Sequence, residues 1–221
     1  KPFHPRTFYI AGANEIYRTT DAGSTFAAIT SFGTTMNMEI SVTPADSNYV
    51  GFGTGNTKDF WLSTDGGNTP FVLKNNSIDD NEVVQFSHLN KNRVYCGYVT
   101  NHRSNDAGTN WTQFTNWYND GILTPVHADN HYAAVNPLLP HYIYYCNDGG
   151  LYRFNELNNS WTDLSNGLII TEFYKIALSE QDSVFMIGGT QDNGGRKRNT
   201  SSTWGATNGG DGMEVDINPV N

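Results

Sequence analysis

Residues 127–131 read HADNH, which sets His127, Asp129 and His131 at i, i+2 and i+4. On a β-strand, alternate side chains share a face, so two imidazoles and a carboxylate at this spacing permit metal chelation. The stretch is not HExxH, and no EF-hand pattern occurs in the chain. Catalytic zinc therefore has little support, whereas carboxylates and carbonyls in glycine-rich loops suit a structural calcium ion. No other metal and no cofactor is expected. GxSxG is absent, so no nucleophilic serine centre is signalled. What HADNH does depends on the elements that carry it.

Those elements are strands. The 221 residues are rich in Gly and aromatics, only 16% are charged, and no stretch keeps a 3.6-residue apolar period. Short runs of Val, Ile, Tyr and Phe between Gly/Asn/Asp clusters predict an all-β fold. The formal charge of −9, with 13 Lys plus Arg, repels phosphate backbones and argues against nucleic-acid binding. Arg196-Lys197-Arg198 is a small basic patch of the kind usually left to solvent. No apolar run approaches the roughly 20 residues of a transmembrane helix. Cys96 and Cys146 fall in neighbouring repeats and are expected to be free and buried.

Self-comparison shows a repeat. TTDAGSTF (19–26), STDGGNTPF (63–71), SNDAGTNW (104–111) and FNELNNSW (154–161) follow the rule Ser/Thr-x-Asp-x-Gly-x-Ser/Thr-aromatic. The acidic position falls at Asp21, Asp65, Asp106 and Glu156. An Asp there accepts backbone N–H bonds across a tight turn, Gly supplies positive φ, and the aromatic packs between sheets. These residues are read as structural staples. The fourth copy, with Phe154, Glu156 and Asn158 at rule positions, is expected to be looser.

This pattern resembles the Asp-box (BNR) repeat of sialidases, sortilin-type receptors and xyloglucan-cleaving endoglucanases, which are β-propellers. The resemblance implies four-stranded antiparallel blades with Asp-box turns between their third and fourth strands. Strand-like segments MEISVTP, VVQFSH, AAVNP, KIALSE and MEVDINP each open a unit, giving repeats near 1–34, 35–79, 80–122, 123–169 and 170–210, with 211–221 an additional inner strand. About five repeat units result. They are expected either to close a five-bladed ring or to belong to a larger propeller completed by further blades or another chain.

Aligning the inner strands on Pro44, His88, Pro137, Glu180 and Pro219 puts Met36, Asp80, Asp129, Glu172 and Asp211 eight residues upstream, four of them acidic. The second-to-third strand loops, Asn147-Asp148-Gly149-Gly150 and Gln191-Asp192-Asn193-Gly194, belong at the same end, with the boxes opposite. One end is therefore polar, and its candidate ligand-binding residues are His127, Asp129, His131, Asp148, Glu172, Gln191, Asp192, Asn193 and Asp211. Trp61, Trp117 and Trp204 are candidate stacking platforms, with inter-sheet packing the more common role for such rings.

The order HADNHYAAVNP, IYYCNDGGLYRF, LIITEFYKIALS, IGGTQDNGG, GGDGMEVDINP resembles large secreted bacterial proteins with sortilin-like or glycoside-hydrolase-like Asp-box propellers, often of Bacteroidetes type. The resemblance implies an extracellular or cell-surface protein. The expected function is binding or interaction, with a carbohydrate or protein as ligand. The alternative is a fragment of an endo-acting polysaccharide hydrolase, with Asp148, Asp192 and Asp211 as candidate catalytic acids. Inverting hydrolysis needs two carboxyl groups roughly 6.5–9.5 Å apart. The arginines are scattered, without a sialidase-type triad.

Overall fold

A computed structural model describes residues 1–34, 37–78, 82–198 and 203–218. Met36, Asp80 and Pro219, used above to set the register, lie outside the described residues. Among those described there is no helix. The chain divides into two compact units, residues 1–164 and 165–221.

The first unit holds four antiparallel sheets. They are β1 (Phe8–Ala11), β2 (Glu15–Thr19) and β3 (Ala27–Ser31); β4 (Met38–Val42), β5 (Val50–Thr54), β6 (Asp59–Ser63) and β7 (Val72–Asn75); β8 (Val83–Phe86), β9 (Val94–Gly97), β10 (Asn101–Ser104) and β11 (Thr112–Gln113); then, after the short parallel pair β12 (Thr115–Asn116) and β13 (Thr124–Pro125), β14 (Asn130–Val135), β15 (Tyr142–Asn147), β16 (Gly150–Asn155) and β17 (Ser160–Asp163). Strands within each antiparallel sheet follow chain order, so each is a meander. β4 packs beside β8, and β8 beside β14.

Period-two alternation produces the packing between sheets. Val94 and Cys96 on β9 face the second sheet, in a cluster with Phe60, Leu62, Val84 and Phe86. Tyr95, between them, faces the fourth sheet with Ile143, Tyr145 and Phe154. A third cluster joins Ile16 of the first sheet to Val50, Phe52 and Phe71 of the second. Three of the four aromatics that end the boxes lie in these seams, whereas Phe26 is exposed and meets Phe8 of its own sheet. Phe71 meets Phe52 at 5.1 Å, Trp111 meets the edge of Phe60 at 5.4 Å, and Trp161 stacks on Phe114 at 5.7 Å. Trp61 lies parallel to Phe52 and belongs to this core.

The box turns are tied by their own side chains. Ser63 Oγ donates to Asp65 Oδ1 at 2.8 Å and accepts the Gly67 N–H at 2.8 Å, while Thr69 Oγ1 donates to Asp65 Oδ2 at 2.7 Å. Thr19, Asp21 and Thr25 repeat this arrangement, as do Ser104, Asp106 and Asn110. These bonds hold the carboxyl groups of Asp21 and Asp106 below their ordinary range and bring Asp65 down to about 2. Gly108 has φ +86°, and a Cβ there would meet the Phe60 ring at 2.1 Å, so this box position requires glycine.

Glu156 departs from expectation. Its side chain does not tie its own turn, where Asn155 Oδ1 accepts the Leu157 N–H and Asn158 Oδ1 the Ser160 N–H and hydroxyl. Instead the buried carboxylate crosses to the third sheet, accepting from Arg93 at 2.9 Å and Ser87 Oγ at 2.8 Å. One methylene more than Asp, and an Asn on either side to serve the turn, free it for that reach.

The second unit holds one sheet, β18 (Phe173–Leu178), β19 (Met186–Thr190), β20 (Gly195–Arg198) and β21 (Gly205–Ala206). Residues 213–218, expected as a further inner strand, are in no strand. The reason is local. The Gly212 and Met213 carbonyl oxygens lie within 2.5 Å of where a Gly189 Cβ would be, and the Gly212 N–H donates to Thr190 O. The chain there crosses the face of β19 instead of running along an edge of the sheet. Cys96 and Cys146 form no disulfide; Cys96 is buried, but Cys146, expected buried, is exposed on β15.

Two predictions follow from these ties. Glu156→Ala removes the carboxylate that Arg93 and Ser87 share and should lower unfolding free energy by about 3 kcal/mol, read by urea denaturation, while the Arg93→Met/Glu156→Leu pair should recover most of it. Because the folded pKa of Asp65 is depressed, its contribution is complete above the unfolded value of 3.8 and is lost as pH falls toward about 2. Between those pH values the stability curve of Asp65→Asn should be flatter than that of the native chain in acid titrations followed by circular dichroism.

Candidate functional site

HADNH does not lie on one strand. β14 begins at Asn130, Asp129 has a left-handed backbone with φ +59°, and the β14–β15 register slips between Asn130 and Tyr132. The bulge removes the alternation that would put His127, Asp129 and His131 on one face. Their ligand atoms form no three-residue metal cluster. The expected geometry for chelation by this triad is therefore overturned.

What forms instead is a polar end of the fourth sheet. Asn130 at the start of β14 pairs with Asn147 at the end of β15, bringing the chain before β14 beside the turn after β15. Asn147 Nδ2 donates to His127 O at 2.9 Å, and its Oδ1 accepts the Gly149 N–H at 3.1 Å. Asn130, buried, donates to Tyr98 O at 2.7 Å from the third sheet. On this frame His131 Nε2 meets Asp148 Oδ1 at 2.5 Å. Asp129 and Asp148 bring carboxylate oxygens within 4.8 Å of each other. These two carboxylates are placed to share a divalent cation. His127 packs its ring on Gly149, where a Cβ would come within 2.4 Å. The box turn is at the other end of the sheet, where the Glu156 N–H donates to His141 O.

Glu172, Gln191, Asp192, Asn193 and Asp211 belong to the second unit. There the turn after β19 is held to the segment after β21. Asp211 Oδ1 accepts the Asp192 N–H at 3.0 Å, Gly210 O accepts the Gly194 N–H at 2.6 Å, and Glu172 O accepts the Gln191 N–H at 3.0 Å. Asp192 takes φ +53°. Asp211 thus ties its segment to the turn after β19. Asp148, Asp192 and Asp211 are divided between the units.

The expected stacking platforms separate. Trp61 is in the core, Trp204 lies 5.6 Å from Phe173 and is 39% exposed, and Trp117 is 57% exposed on a loop. The Asn130–Asn147 scaffold and Tyr118 were missed in the sequence. A polar residue at each end of an otherwise apolar hairpin was the available signal for the former.

No protein-family model and no curated protein matches the chain. Among solved structures, it is similar to an ancestral GH74 enzyme (TM-score 0.58, 15% identity, 100% of this chain and 32% of that one). It is also similar to YCF48 bound to D1 peptide (0.55, 13%, 91% and 64%) and to the GH74 xyloglucanase from Xanthomonas campestris (0.53, 15%, 90% and 36%). The chain spans less than two thirds of each of these structures. At such identity the likeness is one of fold, and the fold is an all-β propeller.

The close approach of His127 to Gly149 supplies a test of the frame. Gly149→Ala should displace the imidazole and cost about 2 kcal/mol of stability, measured by denaturant unfolding, with the ring's new position visible in a crystal structure of the variant.

Proposed function

We propose that the chain is a binding module of an Asp-box propeller, acting outside the cell or at its surface, and that the polar end of the fourth sheet receives a carbohydrate or protein ligand. The observation that carries this reading is the set of His127, Asp129, His131 and Asp148, gathered by the Asn130–Asn147 pair at the end of a rigid sheet. Loops held by such a scaffold are where binding residues concentrate. Partly exposed carboxylates and imidazoles form directional hydrogen bonds to hydroxyls or to peptide groups. Asp129 and Asp148 are also the pair that would hold a structural calcium ion, and thermal unfolding with and without chelator reads that directly.

A second reading, a fragment of a polysaccharide hydrolase, draws on the same two carboxylates. An oxygen of each lies within 4.8 Å of the other, nearer the roughly 5–5.5 Å of retaining enzymes than the roughly 6.5–9.5 Å of inverting ones. Titration against polysaccharide and peptide panels, with reducing-end release assayed in parallel, separates the two. For a binding module, affinity should fall about tenfold or more in Asp148→Ala with no new reducing ends from the native chain. Reducing ends that appear with the native chain and vanish in Asp148→Ala would establish the hydrolase instead.

A further inference from the structure

The connection from the third sheet into the fourth is built unlike the others. It covers residues 114–129, against 32–37, 76–82 and 164–172 elsewhere, and carries its own closure. β12 and β13 pair in parallel at its neck, where the Val126 N–H donates to Asn116 O at 2.8 Å. At its tip Asp120 Oδ1 accepts the N–H groups of Ile122 and Leu123, both at 2.8 Å, and Asp120 Oδ2 accepts from Asn116 Nδ2 at 3.1 Å. The loop is therefore tied by its own hydrogen bonds at neck and tip.

This closed loop holds large apolar side chains out of the core. Trp117 and Tyr118 are 57% and 49% exposed, with ring centroids 4.9 Å apart and planes at 75°, so each ring buttresses the other edge to face. The base of the loop runs into His127, whose carbonyl is bound by Asn147, so the aromatic pair and the polar end share one frame.

Charge then selects the occupant. From Trp111 to Tyr152 the sequence has no Lys or Arg but has Asp120, Asp129 and Asp148. The N–H groups of Ile122 and Leu123 hold the Asp120 carboxyl below its usual range, keeping it anionic. An indole face attracts cations through its quadrupole, and surrounding carboxylates add to that pull. A neutral sugar ring would gain stacking alone, and an acidic ligand would be repelled.

We propose that Trp117 and Tyr118, together with the carboxylates of Asp120, Asp129 and Asp148, dock a basic segment of a partner protein, with an arginine or lysine side chain seated on the Trp117 ring. The inference rests on the binding-module reading and narrows its ligand to a cationic peptide.

The test uses the full chain with three probes, hexa-arginine, hexaglutamate and a neutral xyloglucan oligosaccharide, followed by calorimetry and tryptophan fluorescence. Hexa-arginine should bind and hexaglutamate should not. Affinity should fall about tenfold or more between roughly 50 and 500 mM NaCl. Trp117→Ala, which leaves the charge unchanged, should weaken binding about tenfold, and Trp117→Phe should restore part of it, with thermal unfolding unchanged in both. Equal affinity in Trp117→Ala would reduce the effect to bulk charge attraction and overturn the proposal. So would salt-independent oligosaccharide binding that is lost in Trp117→Ala. Oligosaccharide binding lost in Asp148→Ala but kept in Trp117→Ala, without hexa-arginine binding, would sink the docking surface and leave the binding module standing. If none of the probes binds, both readings fall.

Discussion

Each sheet of the first unit depends on how the chain turns between its last two strands. A carboxylate that accepts bonds from its own turn, as Asp65 does from Ser63 and Thr69, fixes a reversal that would otherwise be loose. That reversal delivers an aromatic to the seam with the preceding sheet: Phe71 to the cluster with Ile16, Trp111 to Phe60. The staple lies at the surface and its consequence in the core. Hydrogen bonds at one end of a sheet thus decide which apolar surfaces meet, and apolar burial supplies most of the stabilisation.

The fourth copy shows what happens when the rule is relaxed. Asn155 and Asn158 take over the turn, and Glu156 is released to bridge to Arg93 and Ser87 in the neighbouring sheet. A local tie becomes a tie between sheets. Its two halves come from residues far apart in the chain, and Trp161 still reaches its seam.

The same sheet carries the polar end. The bulge at Asn130–Tyr132 and the left-handed Asp129 break the strand where an alternating pattern would have continued. His131 is turned toward Asp148, and His127 lies against Gly149. The long connection that precedes this end adds exposed aromatics to carboxylates. A fold shared with hydrolases and with a peptide-bound protein does not choose between chemistries. The choice belongs to these side chains.

The sequence by itself determined the class, the repeat and its period, because strand alternation and turn chemistry are local: three Ser/Thr-x-Asp-x-Gly turns are readable residue by residue. It also indicated which loops share an end, since antiparallel order dictates that. It could not show that Glu156 bridges to the neighbouring sheet, that residues 212–213 cross a sheet face, or that Cys146 is exposed, because each depends on what lies opposite. HADNH marks the boundary most clearly. Its composition drew attention to the right place, but one extra residue in the ladder decided where the imidazoles point, and a β-bulge is a property of two strands together. Only the tertiary structure could separate Trp61, packed in a seam, from Trp117, held out on a closed loop, since burial is decided by neighbours distant in sequence.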